Sequence, residues 1–303
     1  MRLTAAVQES LLAVGLDPAY IESVVQRSID EDLDGGVDVT SQATVPADQQ
    51  STMDLVTRAR GVVAGIPVAA AVFDVVSQGS ANIEIVTADG TRVDRGDVLL
   101  TISGSTRDLL LGERTALNLL CHLSGVATAT REWADVLEGS RAKVRDTRKT
   151  TPGLRILEKY AVRCGGGVNH RMSLSDAALV KDNHVVAAGG VAQAFDAVRS
   201  MWPGLSIEVE VDSLEELIEV LDAGADVVML DNFVPDQMRV AVGIADEFAQ
   251  NAGRARVILE ASGGLTLPDA KVVGSTGVDY IAVGALTHSA KVLDIGADLR
   301  PIT

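Results

Sequence analysis

Cysteine, aromatic residues and long apolar runs are all scarce in this chain of 303 residues. Its two cysteines, Cys121 and Cys164, lie far apart and nothing around them has the spacing of metal ligands. We therefore interpret both as reduced, buried, small apolar side chains and expect a cytosolic protein. No apolar run reaches the length needed to cross a bilayer, so we predict neither a membrane span nor a targeting segment.

Positive charge is also in deficit. The chain has 26 Lys and Arg residues against 42 Asp and Glu residues, a formal net charge of -16. This balance argues against a general binder of nucleic acids or of anionic membranes. Positions 141 to 185 nevertheless hold ten basic and four acidic residues. Such a local positive centre suits a small, highly anionic ligand in a pocket, and a salt-bridged surface of exposed helices is the alternative.

The first third of the chain mixes helical and strand patterns. Residues 18–33 and 66–78 have the apolar spacing of helices, and alternating segments around them predict strands, which together indicate an α+β layer. A long helical pattern follows from Thr106 to Trp133, and Ser124 with Gly125 marks the point where it could break. We place the first domain at residues 1–125 and expect residues 287–303 to return to it as a helix.

After residue 140, short apolar strands alternate with helices, the pattern of parallel βα units. We place this second domain at residues 126–286. Six strands approach a closed barrel, although an open doubly wound sheet is also compatible with the pattern. A polar residue or a glycine marks the carboxyl end of each strand, where barrel enzymes build their sites. These residues are Asp146, Lys181, Glu210, Asp231, Ser262 and Gly284.

The segment RDTRKTTPG, residues 145–153, concentrates cations at the first of these strand ends. Thr150 or Thr151 is a candidate N-cap, and Pro152 would then lie in the first turn of a helix. A helix N-terminus next to Arg148 and Lys149 would bind an anion through both its dipole and their charge. A structural ion pair explains the same residues equally well.

Other strand ends add titratable and glycine residues. His170 and Arg171 follow a glycine run, and Lys181 follows the next strand. Glu210 and Asp231 can bind Mg²⁺, accept from sugar hydroxyls, stabilise developing positive charge or balance the arginines. Glycine turns after the last two strands, at 262–264 and 284, are typical of a phosphate cradle. The ligand is therefore expected to be phosphorylated and to carry further acid groups.

Several segments together resemble the quinolinate phosphoribosyltransferase family over essentially the whole chain. They are ERTALNLLCHLSGVAT, RDTRKTTPGLRILEKYAVRCGGGVNHRMSLSD, VKDNH, EVEVD, LDN and EASGG. The resemblance implies an α/β fold with an N-terminal α/β sandwich domain and an incomplete, seven-stranded α/β barrel of the type II phosphoribosyltransferase kind. It also implies transfer of phosphoribosyl from phosphoribosyl pyrophosphate to quinolinate with decarboxylation, Mg²⁺ without an organic cofactor, and a homodimer or larger assembly.

The resemblance further implies a role for each matching residue. Around the pyridine dicarboxylate it places Arg114, Arg148, His170, Arg171 and Lys181, with Arg114 contributed by the neighbouring subunit. Lys149 would lie between substrate and pyrophosphate, and Glu210 with Asp231 near the ribose hydroxyls and Mg²⁺. The 5-phosphate cradle would consist of Ser262, Gly263, Gly264 and Gly284.

Three other interpretations remain compatible with the sequence. One is a related phosphoribosyltransferase that acts on another pyridine acid such as nicotinate. A second is a Schiff-base lyase for a phosphosugar that uses Lys149 or Lys181 as its amine. A third is a binding protein that has kept the pocket and lost turnover, against which intact Lys149, Glu210 and Asp231 argue.

Overall fold

The computed structural model describes residues 3–302 and divides the chain into two compact units. The first unit comprises residues 1–129, 156–166 and 290–303, and the second comprises residues 130–155 and 167–289. No helix within residues 3–302 is both long enough and apolar enough to cross a membrane.

The first unit is built mainly from the amino-terminal part of the chain. Its elements are α1 (Ala5–Ala13), α2 (Pro18–Leu33), α3 (Val39–Thr44), β1 (Gln50–Thr57), β2 (Gly61–Val62), α4 (Ile66–Val76), β3 (Asn82–Ile85), β4 (Arg92–Val93), β5 (Val98–Ser105) and most of α5 (Thr106–Val136). Helix α4 is buried along its whole length because nearly every residue in it is apolar, and it contacts α1, α2 and the sheet. It forms the centre of this unit's core.

The carboxyl-terminal segment contradicts the prediction of a returning helix. Residues Ile295–Pro301 form a strand that pairs antiparallel with β1, so the main sheet of the first unit has the order β12-β1-β5-β3 when this strand is numbered β12. The segment does belong to the first unit, as expected, but it completes the sheet edge beside β1. Its alternation of Ile295, Ala297 and Leu299 with polar residues is the period of a strand.

Helix α5 runs unbroken past Ser124 and Gly125, where the sequence analysis allowed for a break. The glycine is required for packing rather than for a turn. A Cβ atom at Gly125 would lie 2.2 Å from the carbonyl oxygen of Lys291, and the N–H of Leu293 donates to the Cys121 carbonyl one helical turn earlier. Helix α5 therefore packs closely against the segment that leads into the last strand.

The second unit alternates strands and helices. Its elements are β6 (Lys143–Arg145), β7 (Ala178–Val180), α7 (Asp182–Ala188), α8 (Val191–Met201), β8 (Ile207–Val211), α9 (Leu214–Asp222), β9 (Val227–Asp231), α10 (Pro235–Ala252), β10 (Ile258–Ser262), a 3-10 turn (Leu267–Asp269), α11 (Ala270–Gly274), β11 (Tyr280–Ala282) and α12 (Ala285–His288). Its strands form a parallel sheet of order β6-β11-β10-β9-β8-β7. All six strands predicted from the sequence are confirmed.

The expected seventh strand is reduced to one bridge. Val168 pairs in parallel with Arg145 of β6, beyond the edge of the six-stranded sheet. The sheet therefore has β7 at one edge and β6, extended by Val168, at the other.

Residues 156–166 were predicted to lie in the second domain and instead belong to the first unit, chiefly as α6 (Arg155–Cys164). Two buried polar contacts explain this assignment. The hydroxyl of Tyr160 donates to Asp89 at 2.5 Å, and buried Glu158 lies 2.8 Å from His122 on α5. Burial of such groups is tolerated because each has a partner. The sequence pattern did not reveal these partners because they are distant along the chain.

Candidate active site

The predicted site residues of the second unit gather at the carboxyl ends of its parallel strands. The register pairs Val180 of β7 with Val209 of β8, so Lys181 and Glu210 are neighbours one residue later. It also pairs Asp231 of β9 directly with Ser262 of β10. Because the strands are parallel, their carboxyl ends all lie on the same side of the sheet, as the sequence pattern predicted. We call this side the carboxyl-terminal edge.

Arg148 and Arg171 form a cationic pair at this edge. Their Nε atoms are buried and have no hydrogen-bond partner among residues 3–302. Burial and the nearby charge of Arg148 both lower the pKa of Arg171. The Arg171 Nη1 donates to the carbonyl of Ala177 at 2.8 Å, which anchors one side of the guanidinium. Two half-buried like charges with unused Nε donors are suited to binding an anion.

Lys181 contacts a carboxylate. Its Nζ donates to Oε2 of Glu210 at 2.7 Å, and Glu210 is largely enclosed while Lys181 is exposed. The pair therefore presents both a cation and an acceptor at the same strand ends. Asp231 is oriented by its neighbour, because the Asn232 amide donates to Asp231 Oδ2 at 2.6 Å.

The glycine turn after β10 requires glycine at one position in particular. Gly263 has φ +110°, and a Cβ atom there would lie 2.3 Å from Oδ1 and 2.8 Å from both N and Cα of Asn232. Asn232 itself has φ +56° and donates its N–H to the Ser262 carbonyl at 3.0 Å. The two turns thus pack backbone against backbone, which leaves the backbone at Gly264 open for a ligand.

Lys149 lies against the other predicted glycine. Its backbone carbonyl accepts from the hydroxyl of buried Thr287 at 2.8 Å. A Cβ atom at Gly284 would lie 2.8 Å from Lys149 Cδ, so the glycine is needed to admit the lysine stem. The sequence analysis did not identify Thr287 because a threonine in a short helix has no distinguishing pattern.

The predicted helix N-terminus beside these cations is absent from the structure of this loop. Helix α6 begins at Arg155, and residues 151–154 form a turn in which Leu154 N–H donates to the Thr151 carbonyl. Gly153 has φ +84°, a conformation that ends any helix begun at Pro152. Anion binding by this loop therefore depends on its side chains rather than on a helix dipole.

A layer of charged side chains inside the sheet was not identified from the sequence. Arg145 of β6, Glu260 of β10 and Glu208 of β8 come from alternate strands, the arrangement that forms one layer in a barrel interior. Arg145 Nη1 lies 2.7 Å from Glu260 Oε2 and 3.6 Å from Glu208 Oε2. Alternation along IEVEV makes Glu208 and Glu210 face the same side of the strand, but Glu208 is buried against Arg145 while Glu210 pairs with Lys181 at the strand end.

Burial and the charge of Glu208 raise the pKa of Glu260 to about 8, although contact with Arg145 opposes the shift. Oε1 of Glu208 and Oε1 of Glu260 are both buried without a hydrogen-bond partner in the described part of the chain. Burial and the neighbouring carboxylate thus both favour the protonated form of Glu260.

His170 joins this layer rather than facing outward. Its side chain is almost fully buried, with Nε2 2.9 Å from Glu208 Oε2, and Nδ1 accepts from the backbone N–H of Arg171 at 2.7 Å. The backbone N–H of His170 donates to Asp146 Oδ1 at 2.8 Å. Of the two ring nitrogens, Nδ1 therefore makes a hydrogen bond to the backbone and Nε2 lies at ion-pair distance from Glu208.

Arg114 lies on α5 in the first unit, and its side chain is exposed. The remaining predicted residues, at positions 148, 149, 170, 171, 181, 210, 231, 262, 263, 264 and 284, all belong to the second unit. The structure thus brings eleven of the twelve into one unit.

Comparison with known proteins now adds to this geometry. Residues 126–298 match the family model described as quinolinate phosphoribosyl transferase, C-terminal domain, and residues 38–124 match that of the N-terminal domain. The chain belongs to the quinolinate phosphoribosyltransferase family. The match covers both units and therefore includes Arg114 as well as the residues at the strand ends.

Relatives in this family resemble the chain over nearly their full length. The nicotinate-nucleotide pyrophosphorylase (carboxylating) of Mycobacterium leprae is 51% identical over 91% of this chain and 95% of its own. The probable enzyme of the same name from Bacillus subtilis is 42% identical over 89% and 90%. The crystal structure of NadC from Streptococcus pyogenes superposes with a TM-score of 0.88 at 38% identity, covering 95% of this chain and 99% of that one.

Proposed function

We propose that this protein transfers phosphoribosyl from phosphoribosyl pyrophosphate to quinolinate and decarboxylates the product to nicotinate mononucleotide. The observation that supports this most directly is the Arg148–Arg171 pair, whose buried Nε donors have no hydrogen-bond partner in the chain as far as it is described. Quinolinate has two adjacent carboxylates, and guanidinium groups bind carboxylates in a bidentate manner. Membership in the quinolinate phosphoribosyltransferase family supports the same substrate.

The remaining groups would each bind a different part of the second substrate, phosphoribosyl pyrophosphate. The Ser262–Gly264 turn, which is open at Gly264, would bind the 5-phosphate together with the backbone at Gly284, beside the Lys149 stem. Lys149, exposed between that glycine and Arg148, would bind the pyrophosphate. Glu210 and Asp231 would accept from the ribose hydroxyls. Each anionic part of the two substrates then meets a fixed donor, which offsets the cost of removing those charges from water.

This arrangement favours dissociative chemistry at the sugar. The pyridine nitrogen attacks the anomeric carbon as pyrophosphate leaves, and the carboxylates of Glu210 and Asp231 stabilise the positive charge that develops on the ribose. Loss of CO₂ then leaves an electron pair on the ring carbon next to a positively charged nitrogen, and a proton from water adds to that carbon to give nicotinate mononucleotide. The charged ring nitrogen stabilises the electron pair, so we propose that no organic cofactor takes part.

Mg²⁺ fits the carboxylates at the strand ends but needs further ligands. Glu210 and Asp231 supply the hard oxygen ligands that Mg²⁺ prefers, and neither is fully buried. Mg²⁺ usually keeps a few protein carboxylates and takes substrate phosphates as its other ligands. When bound with pyrophosphate, it would neutralise the charge of the leaving group. The protein's own part is to orient the carboxylates, through Asn232 for Asp231 and Lys181 for Glu210.

We also propose a homodimer, or a larger assembly of dimers, in which Arg114 completes the site of the neighbouring subunit. Apolar side chains support a partner, because Leu174 and Trp202 are exposed and line a cavity of about 840 Å³ beside β7. The reduced state of Cys121 and Cys164 supports a cytosolic location for the reaction.

Mixing two inactive variants tests the shared site. Arg114→Ala and Lys181→Ala subunits, once exchanged, should form heterodimers with one intact site and recover up to about a quarter of wild-type activity. Lys181→Ala mixed with Arg171→Ala is the matched control and should show no recovery, because both residues come from the same subunit. Verified exchange without recovery in the first mixture contradicts the role of Arg114.

The decisive assay for the reaction offers quinolinate and nicotinate in parallel with phosphoribosyl pyrophosphate and Mg²⁺. We expect mononucleotide and CO₂ from quinolinate alone. Turnover of nicotinate alone would show that the substrate is another pyridine acid, and turnover of neither would indicate a binding protein. Borohydride trapping of a sugar phosphate on Lys149 or Lys181 would instead support the Schiff-base lyase.

A further inference from the structure

The buried layer beneath the site contacts the cationic pair through a single histidine. Glu208 lies 2.9 Å from Nε2 of His170, and Nδ1 of the same ring accepts from the backbone N–H of Arg171. Because Nδ1 is an acceptor, the ring proton must be on Nε2. The Glu208 carboxylate lies at ion-pair distance from Nε2 without the geometry of a hydrogen bond, so its negative charge favours this tautomer.

Glu208 is itself held in place by Arg145. Arg145 lies between it and Glu260, and the guanidinium also packs over the ring of Tyr280 at 4.8 Å. Asp146 holds the backbone on the other side of the histidine through the His170 N–H and the Asn169 amide. A ring held on both sides within a buried layer leaves Arg171 little freedom at its backbone.

We propose that Glu208 is a positioning residue that acts through His170 to set where Arg171 meets the carboxylates of the substrate. In this role His170 orients Arg171 through the backbone hydrogen bond to its Nδ1. This inference rests on the proposed function, because it assigns Arg171 to quinolinate. It differs from the role that the sequence resemblance implied, in which His170 contacts the dicarboxylate itself.

The same side chains could in principle hold a metal ion. His170, Glu208 and Glu260 each offer a ligand atom, and those atoms lie within 4.8 Å of one another. Arg145, however, contacts both carboxylates and supplies the positive charge that a metal would bring. Positioning therefore accounts for the cluster without an ion. Stoichiometric metal in the purified protein that is lost on Glu260→Gln would overturn this assignment.

Two substitutions of Glu208 separate positioning from folding. Glu208→Gln keeps the shape of the side chain and a polar oxygen beside His170 Nε2, so we expect the KM for quinolinate to stay within about threefold of wild type. Glu208→Leu removes every polar atom next to Nε2 and should raise that KM about tenfold or more, while the KM for phosphoribosyl pyrophosphate changes little. A rise of both KM values together would overturn the proposal.

A double-mutant cycle tests whether the effect passes through the histidine. In His170→Asn the amide oxygen can replace Nδ1 as acceptor for Arg171 N–H, but nothing reaches Glu208. Adding Glu208→Leu to this variant should therefore produce no further rise in the KM for quinolinate. A full tenfold rise in the His170→Asn background would show that Glu208 acts by another route.

Asp279→Asn provides the matched control. Asp279 is a largely enclosed carboxylate that pairs with Arg256, but it precedes β11 and so lies at the opposite end of the strands from the site. We expect it to lower the melting temperature without changing the KM for quinolinate. If Asp279→Asn raises that KM as Glu208→Leu does, a general loss of stability of the second unit explains both increases, and the proposal fails. A wild-type protein that neither binds nor turns over quinolinate would refute the proposed function, and this inference with it.

Discussion

Replacing Gly263 by alanine tests the packing of the proposed phosphate cradle, the turn at residues 262–264. The new Cβ atom would lie 2.8 Å from the backbone N and Cα of Asn232, which cannot move without shifting the end of β9. The Asn232 Oδ1, which would lie 2.3 Å from the new Cβ, can rotate away. The contact with the Asn232 backbone therefore decides how much stability the substitution costs. The φ of +110° adds strain of about 1–3 kcal/mol for a residue with a side chain.

We therefore expect Gly263→Ala to lose about 3 kcal/mol of unfolding free energy, since the displacement of Asn232 adds to the backbone strain. The KM for phosphoribosyl pyrophosphate should rise about tenfold, equivalent to about 1.4 kcal/mol. Urea denaturation and steady-state kinetics measure the two effects. Gly253→Ala is the control away from the site, because Gly253 has φ +63° and a Cβ added there would meet no described atom within 4 Å.

The Gly253→Ala control separates the cost of backbone strain from the cost of steric overlap with Asn232. Gly253→Ala should cost about 1–2 kcal/mol from its left-handed conformation alone and leave the KM values unchanged. If Gly263→Ala proves no less stable than Gly253→Ala and binds phosphoribosyl pyrophosphate normally, the two turns do not pack as described and the cradle is assigned wrongly.

Three further substitutions test other parts of the structure. Arg171→Ala removes a charged donor worth about 1.5–3 kcal/mol and should raise the KM for quinolinate about 10- to 100-fold with the fold intact; wild-type kinetics would remove Arg171 from the site. Glu260 has its pKa raised to about 8 when folded, so its contribution to the free energy of unfolding should fall as pH rises from about 4.5 to about 8. Unfolding of wild type and Glu260→Gln at both ends of that range measures this, and an identical difference at the two pH values contradicts it. Gly125→Ala places a Cβ against the Lys291 carbonyl and should lower the melting temperature by several degrees, whereas an unchanged value would mean that the carboxyl-terminal segment does not pack there.

Strand periodicity and strand-end chemistry could be predicted from the sequence because both are local. Six apolar segments of the second half are strands, and the residues that follow them lie at one edge of the sheet. A parallel sheet places every carboxyl end on the same side, so the order of polar residues along the chain translates directly into a shared site. The pairing of Lys181 with Glu210 follows from the same rule once the register is known.

Long-range partners could not be predicted in this way. The carboxyl-terminal segment is a strand because β1 offers it a sheet edge, and Pro152 lies in a turn because Gly153 takes a left-handed conformation. Local pattern allowed a helix in both places. Residues 156–166 join the first unit because Tyr160 and Glu158 find polar partners there, which only the folded chain supplies.

The charged layer shows the same division. The alternation in IEVEV determined that Glu208 and Glu210 face the same side of the strand. Only the tertiary structure decided that Glu210 meets Lys181 at the rim while Glu208 lies inside against Arg145 and His170. The sequence thus determined which residues could do chemistry, and the packing of strands decided which of them lie at the strand ends and which are buried beneath. The reason is physical, because a residue's type is set locally while its burial and partners depend on strands far apart in the chain.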